Sequence, residues 1–149
     1  MHIKFVKLPG NPEAFFNILP ADWKKEIAPV WEQYAPEADI YVLIDGDQIV
    51  AGGVVAHGMP IDMAHFFHEV SEWVDQSYRY IGYLWVIENR RKQHLGSLWL
   101  RELAKHDPKT KYWLTIEEEN LGHFYLSNGF HMVKKLQKGN ITEWLLVKD

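Results

Sequence analysis

The chain has 149 residues, no cysteine, 16 lysines and arginines against 20 aspartates and glutamates, and 47% hydrophobic side chains. Its length predicts one domain over residues 1–149 with a sizeable core, and 24% charged residues excludes wholesale disorder. A formal charge of −4 argues against nucleic acid or an anionic membrane as partner, and the missing thiols remove disulfides, thiolate nucleophiles and cysteine metal sites.

Residues 2–8 alternate apolar and polar, which predicts a first strand, and Pro9-Gly10-Asn11-Pro12 ends it. Helical spacing follows in two pieces: Phe15, Phe16 and Leu19, then Trp23, Ile27, Val30, Trp31 and Tyr34. Pro20 separates them, and Pro29 is expected to kink or end the second. Residues 39–57 read as a hairpin about Asp45-Gly46-Asp47, with Gly52-Gly53 marking a bulge or a close backbone approach. Met63, Phe66, Phe67, Val70, Trp73 and Val74 line one face of a helix over 60–75. Residues 79–86 form a strand, 91–106 a helix, 111–117 a strand, and 120–128 a short helix capped by a left-handed Gly129. A last hairpin joins 131–136 to 141–147. The strand–helix–strand unit over 79–117 should be a right-handed crossover, and every other neighbouring pair a hairpin. The fold class expected is α+β, a three-layer α/β arrangement in looser usage: a mixed, mostly antiparallel sheet of about seven strands with helices on both faces. No apolar run is long enough for a signal peptide or a membrane span, so a cytoplasmic protein with no membrane partner is expected.

One loop carries the chemical signal. A strand ends at Val86, Arg90, Arg91 and Lys92 follow, and a helix begins near Gln93. Backbone N–H groups at a helix start lack internal partners and carry the positive end of the macrodipole, which suits a phosphate or pyrophosphate. Gly96 in the first turn costs about 1 kcal/mol against alanine, as expected where something approaches the backbone closely.

The stretch Arg91-Lys92-Gln93-His94-Leu95-Gly96 resembles the Arg/Gln-x-x-Gly-x-Gly/Ala loop of the GCN5-related N-acetyltransferase superfamily. Phe124-Tyr125-Leu126-Ser127-Asn128-Gly129-Phe130 is similar to that family's Phe-Tyr-x-x-x-Gly-Phe signature, and the order of elements also agrees. Two departures stand out. His94 replaces the first loop glycine and is expected in an ordinary helical conformation. The family's asparagine position is Glu118, with Asn120 the nearest asparagine and the segment two residues short.

The resemblance implies acetyl-CoA as co-substrate, no metal, and two parallel strands that splay to admit the pantetheine arm. Leu84, Trp85 and Val86 would offer backbone hydrogen bonds to that arm; Arg91, Lys92, Gln93, His94, Leu95, Gly96 and Ser97 would hold the pyrophosphate, and Asn120 would assist. Tyr125 would be the acid that protonates the leaving thiolate; its plain alternative is a core aromatic bonded to a backbone carbonyl. The acceptor is expected to be a small-molecule or peptide amine, attacked directly because no cysteine can carry the acyl group. Glu117, Glu118 and Glu119 are candidate bases, or else solvated carboxylates favoured at a helix start. His65 and His68, three apart, suit a pocket rim better than a metal site. Residues 58–77 look like an insertion forming a wall of the acceptor pocket, with Phe67 and Trp73 as lining. A non-catalytic acetyl-CoA-sensing module of the same fold is the alternative, a domain binding some other phosphate ligand is a third, and the aromatic surplus leaves room for a homodimer face.

Overall fold

A computed structural model describes residues 2–149. Seven strands form one sheet: β1 (Ile3–Lys7), β2 (Ala38–Asp45), β3 (Gln48–Ala56), β4 (Arg79–Val86), β5 (Tyr112–Ile116), β6 (His131–Lys138) and β7 (Ile141–Lys148). Their order across the sheet is β1-β2-β3-β4-β5-β7-β6. Every pairing is antiparallel except β4 with β5, where the crossover predicted from sequence gives a parallel pair.

The helices are α1 (Glu13–Phe16), α2 (Ala21–Ile27), α3 (Trp31–Tyr34), α4 (Phe67–Asp75), α5 (Leu95–His106) and α6 (Gly122–Leu126). Pro29 does what its missing N–H requires: α2 ends at Ile27 and a 3-10 turn, Ala28–Val30, follows. The predicted helix over 60–75 is composite, a 3-10 turn over Ile61–Phe66 running into α4.

Two cores result. Phe15, Phe16, Ile27, Phe66, Val70 and Trp73 pack with Trp113, Leu145 and Val147 on one face of the sheet. Trp99, Leu100 and Leu103 of α5 pack with Leu43, Leu114 and Leu146 on the other. The glycine pair in β3 lets both layers close down. A Cβ on Gly52 would lie 2.7 Å from the Phe15 ring, and one on Gly53 2.8 Å from Trp99. The Trp99 indole N–H donates to the Tyr41 carbonyl at 2.9 Å, so its burial leaves no polar group orphaned.

Candidate active site

The sheet opens where its one parallel pair runs out. β4 and β5 register only at Arg79 with Tyr112 and Tyr80 with Trp113, and diverge beyond. On its other edge β4 carries one residue more than β3 between the pairs Gly52–Trp85 and Val54–Gly82, and Tyr83 has the positive φ (56°) of a bulge. Fork and bulge together leave a cleft of about 900 Å³ walled by Leu84, Trp85 and Val86 on one side and by Thr115 and Ile116 on the other.

At one end of the cleft the loop after β4 presents its backbone. No amide from Lys92 to Ser97 finds a backbone acceptor among the described residues, and the first α5 bond runs from Leu98 N to His94 O at 3.0 Å. Lys92 (φ 63°) and His94 (φ 59°) both adopt left-handed backbone, a conformation that turns successive N–H groups toward one side and suits an anion. The expectation that His94 would be helical is therefore corrected: it keeps the conformation suited to a glycine. It can do so because it caps α5 from outside the helix, and histidine is among the side chains that tolerate this region best.

Of the loop residues singled out by sequence, Arg91, Lys92, His94, Leu95, Gly96 and Ser97 line the cleft, Leu95 with its side chain in the core. Gln93 does not; its Oε1 accepts from Arg90 Nε at 2.9 Å, while Arg90, which also lines the cleft, pairs with Asp45 at 2.9 Å, so these side chains brace the loop. The Arg91 guanidinium lies 4.4 Å from the Trp85 ring centroid and donates from Nε to the Val86 carbonyl at 3.2 Å. Asn120 is exposed in the turn Glu119–Leu121 and stays outside the cleft wall, a correction to its expected part in binding: the shortened segment spends it on the lead into α6. What approaches Gly96 closely is protein. A Cβ there would lie 2.9 Å from Phe124, and Asn128 Nδ2 donates to Ser97 Oγ at 3.2 Å. The two motifs thus touch.

Tyr125, on α6, also lines the cleft, with its ring edge-on to Phe124 and Phe130. Burial pushes its phenol up to about 12. Its hydroxyl bonds no described residue, so it does not serve as a cap for a backbone carbonyl.

The other end is built from side chains of five elements. Trp23 of α2 packs edge-on to Tyr83 and Trp85, and the Tyr83 hydroxyl donates to Glu26 at 3.0 Å. Asp62 accepts from Tyr80 at 2.7 Å and Tyr34 at 2.9 Å; burial nonetheless holds its carboxyl above the usual carboxylate range. Glu143 of β7, only 6% exposed, accepts from Thr115 Oγ1 at 2.6 Å and meets His65 Nε2 at 3.2 Å. Glu117 is raised by burial and then by its acidic neighbours, Glu143 first. Glu118 also lines the cleft, whereas Glu119 does not.

The segment 58–77 contributes to the cleft wall through Asp62, Met63 and His65 of its 3-10 turn. Phe67 is 49% exposed and Trp73 is buried in the core, which corrects both as lining: a helical period drawn through the whole segment misplaces the face presented by its tighter first part. His68 is exposed and off the cleft wall, and no group of three or more metal-ligating side chains occurs among the described residues. Sequence reasoning missed Asp62, Thr115 and Glu143. For Glu143 a signal existed, since it falls in phase with the inward Leu145 and Val147 on β7.

The sequence model of the acetyltransferase (GNAT) family matches residues 11–130. No curated protein sequence matches the chain. Among solved structures, a GNAT family acetyltransferase from Elizabethkingia anophelis with acetyl-CoA bound is 19% identical, with a TM-score of 0.65 over 99% of this chain and 97% of that one. An IAA acetyltransferase from Bacillus cereus is 14% identical, TM-score 0.64, over 99% of each chain. An N-acyl amino acid synthase from uncultured soil microbes is 13% identical, TM-score 0.72, over 99% of this chain and 91% of that one. At these identities the likeness establishes a shared acyl-CoA N-acyltransferase fold.

Proposed function

The chain belongs to the acetyltransferase (GNAT) family, and from that premise we propose that it is an acetyl-CoA-dependent N-acetyltransferase, acting as one cytoplasmic domain and moving an acetyl group to a primary amine by direct attack in a ternary complex. The observation that carries this reading is the run of unbonded amides from Lys92 to Ser97 at the mouth of a forked sheet, beside a phenol with no partner. Those amides, the α5 macrodipole and Lys92 suit a diphosphate. The exposed edge of β4 at Leu84, Trp85 and Val86 suits an extended amide-bearing arm.

When bound, acetyl-CoA supplies an activated acyl carbon and a thiolate leaving group. Tyr125 keeps its proton on Oη at neutral pH and can hydrogen-bond a sulfur that gains charge. A thiol near 8.5 in water is a stronger acid than this phenol, but the burial that raises the phenol raises a thiol beside it in the same direction. An alkyl amine near pKa 10.4 is neutral in only a few of ten thousand molecules at pH 7, a handicap of about 4.6 kcal/mol. Glu26, Asp62, Glu117 and Glu143 at the far end of the cleft suit a cationic small-molecule or peptide amine as acceptor.

Titration calorimetry with acetyl-CoA, CoA and ATP, followed by CoA-thiol release over a panel of amines, tests the proposal. Acetyl-CoA and CoA should bind well below ATP in Kd, and at least one amine should release thiol. Tight acetyl-CoA binding with no turnover would replace the enzyme by the acetyl-CoA-sensing module, and preferred ATP binding would overturn both.

A further inference from the structure

Three segments far apart in sequence meet at the acceptor end of the cleft. His65 comes from the inserted 3-10 turn, Glu143 from β7 and Thr115 from β5. Glu143 is the one buried charged residue among the described residues, and both of its oxygens are committed: Oε1 accepts from Thr115 at 2.6 Å, and Oε2 lies 3.2 Å from His65 Nε2. A carboxylate only accepts, so Nε2 carries the ring proton and Nδ1 carries the lone pair. Nδ1 bonds no described residue, the side chain is 35% exposed, and the ring lines the same cleft as Tyr125. Phe66, with its ring centroid 4.5 Å from that of His65, closes one side of the imidazole.

Resting on the acetyl-transfer reading above, we propose that His65 is the proton acceptor for the attacking amine and that Glu143 is its positioning residue. The acceptor arrives as an ammonium ion and gives one proton to His65 Nδ1, directly or through one water. The freed nitrogen lone pair forms the bond to the acyl carbon as the carbon–sulfur bond breaks. The electrons of that bond leave on sulfur, which takes the Tyr125 proton to become the thiol, and the second proton that the new amide nitrogen must lose passes through water to restore the phenol. The resulting imidazolium faces Glu143, so the charge created by the transfer is paired where it forms. Once product has left, the imidazolium returns its proton to solvent. The ionisable groups around this corner are Glu143 of β7, Asp62 of the same turn, Tyr80 of β4 and Glu117 beyond β5, and none of the three carboxylates forms a salt bridge with lysine or arginine among the described residues. Glu69, one turn along, is held by Lys138 at 3.7 Å.

The test combines turnover with two measurements that do not depend on it. His65→Gln should lower kcat by about 100-fold or more, leave the acetyl-CoA Kd within about twofold, and remove the acid-side fall of the kcat/KM profile. Adding free imidazole should restore His65→Ala in proportion to the unprotonated imidazole present, which a packing role would not permit. In the protein without ligands, nitrogen NMR should find neutral His65 protonated on Nε2, and Glu143→Gln should cut kcat by about tenfold with little change in KM. His68→Gln, one turn away and off the cleft, should match the parent. Full activity in His65→Gln, or an acid limb that survives it, overturns the assignment while leaving the acetyltransferase intact. A parent protein that binds acetyl-CoA and acetylates no amine overturns the function itself.

Discussion

The two ends of the cleft are made of different material. The end proposed for acetyl-CoA is one continuous stretch, residues 84–97, acting mostly through backbone N–H and C=O groups shaped by left-handed residues and a helix start. The opposite end is assembled from side chains of α2, the inserted turn, β4, β5 and β7, with carboxylates, aromatic rings and one imidazole. Backbone recognition suits a ligand common to a whole family, because it survives most side-chain changes. Side-chain recognition suits an acceptor that differs from one member to the next, because single substitutions on separate elements can retune it.

If that division is right, damage at the seam should affect chemistry and leave binding intact. Tyr125→Phe is expected to lower kcat by about 100-fold with the acetyl-CoA Kd within about twofold, measured by thiol release and calorimetry. Unchanged turnover would remove Tyr125 from the acid role. The same phenol should be visible in stability. Its folded-state pKa of about 12 lies above the ordinary 10.0, so between those values the folded state holds the extra proton and stability falls as pH rises. Below pH 10 the contribution is fully present. Up to about 2.7 kcal/mol is lost by pH 12, and Tyr125→Phe should flatten that part of the alkaline limb in denaturant melts; parallel curves would refute the linkage.

At the backbone end, reversing charge at Arg91 and Lys92 together should weaken acetyl-CoA about tenfold at low salt and only a few-fold near 1 M. Equal losses at both salts would mean that neither touches phosphate. Gly96→Ala sharpens the point at which the two motifs meet, since the new methyl must displace Phe124. A loss of about 1–2 kcal/mol is expected, restored in part by Phe124→Leu, and simple additivity of the two changes would deny the contact. The smallest effect belongs to His94→Gly, which relieves left-handed backbone at some cost in unfolded-chain entropy and should leave stability within about 1 kcal/mol. His94→Val should lose more, and equal stability of the two variants would argue against the backbone conformation.

The amino-acid sequence alone determined the succession of strands and helices along the chain, the crossover at 79–117, the loop from Arg91 to Ser97 and the Tyr125 signature, because each is written in consecutive residues with a fixed period or spacing; the expected neighbouring of β5 and β6 fails, since β7 lies between them in the sheet. Gly52-Gly53 even announced a close approach, although only the folded chain decided that Phe15 and Trp99 make it. Tertiary structure alone decided the acceptor end. Asp62, His65, Thr115 and Glu143 come from distant parts of the chain, with 78 residues between the positions of His65 and Glu143, and no local pattern links a 3-10 turn to the seventh strand. It also decided the conformation of His94 and the exclusion of Asn120 and Phe67, since those depend on where a helix begins and how tightly a turn is wound. Hydrophobic periodicity reports which face of an element is buried; which polar groups then meet across the gap follows from the three-dimensional packing of elements that the periodicity describes one at a time.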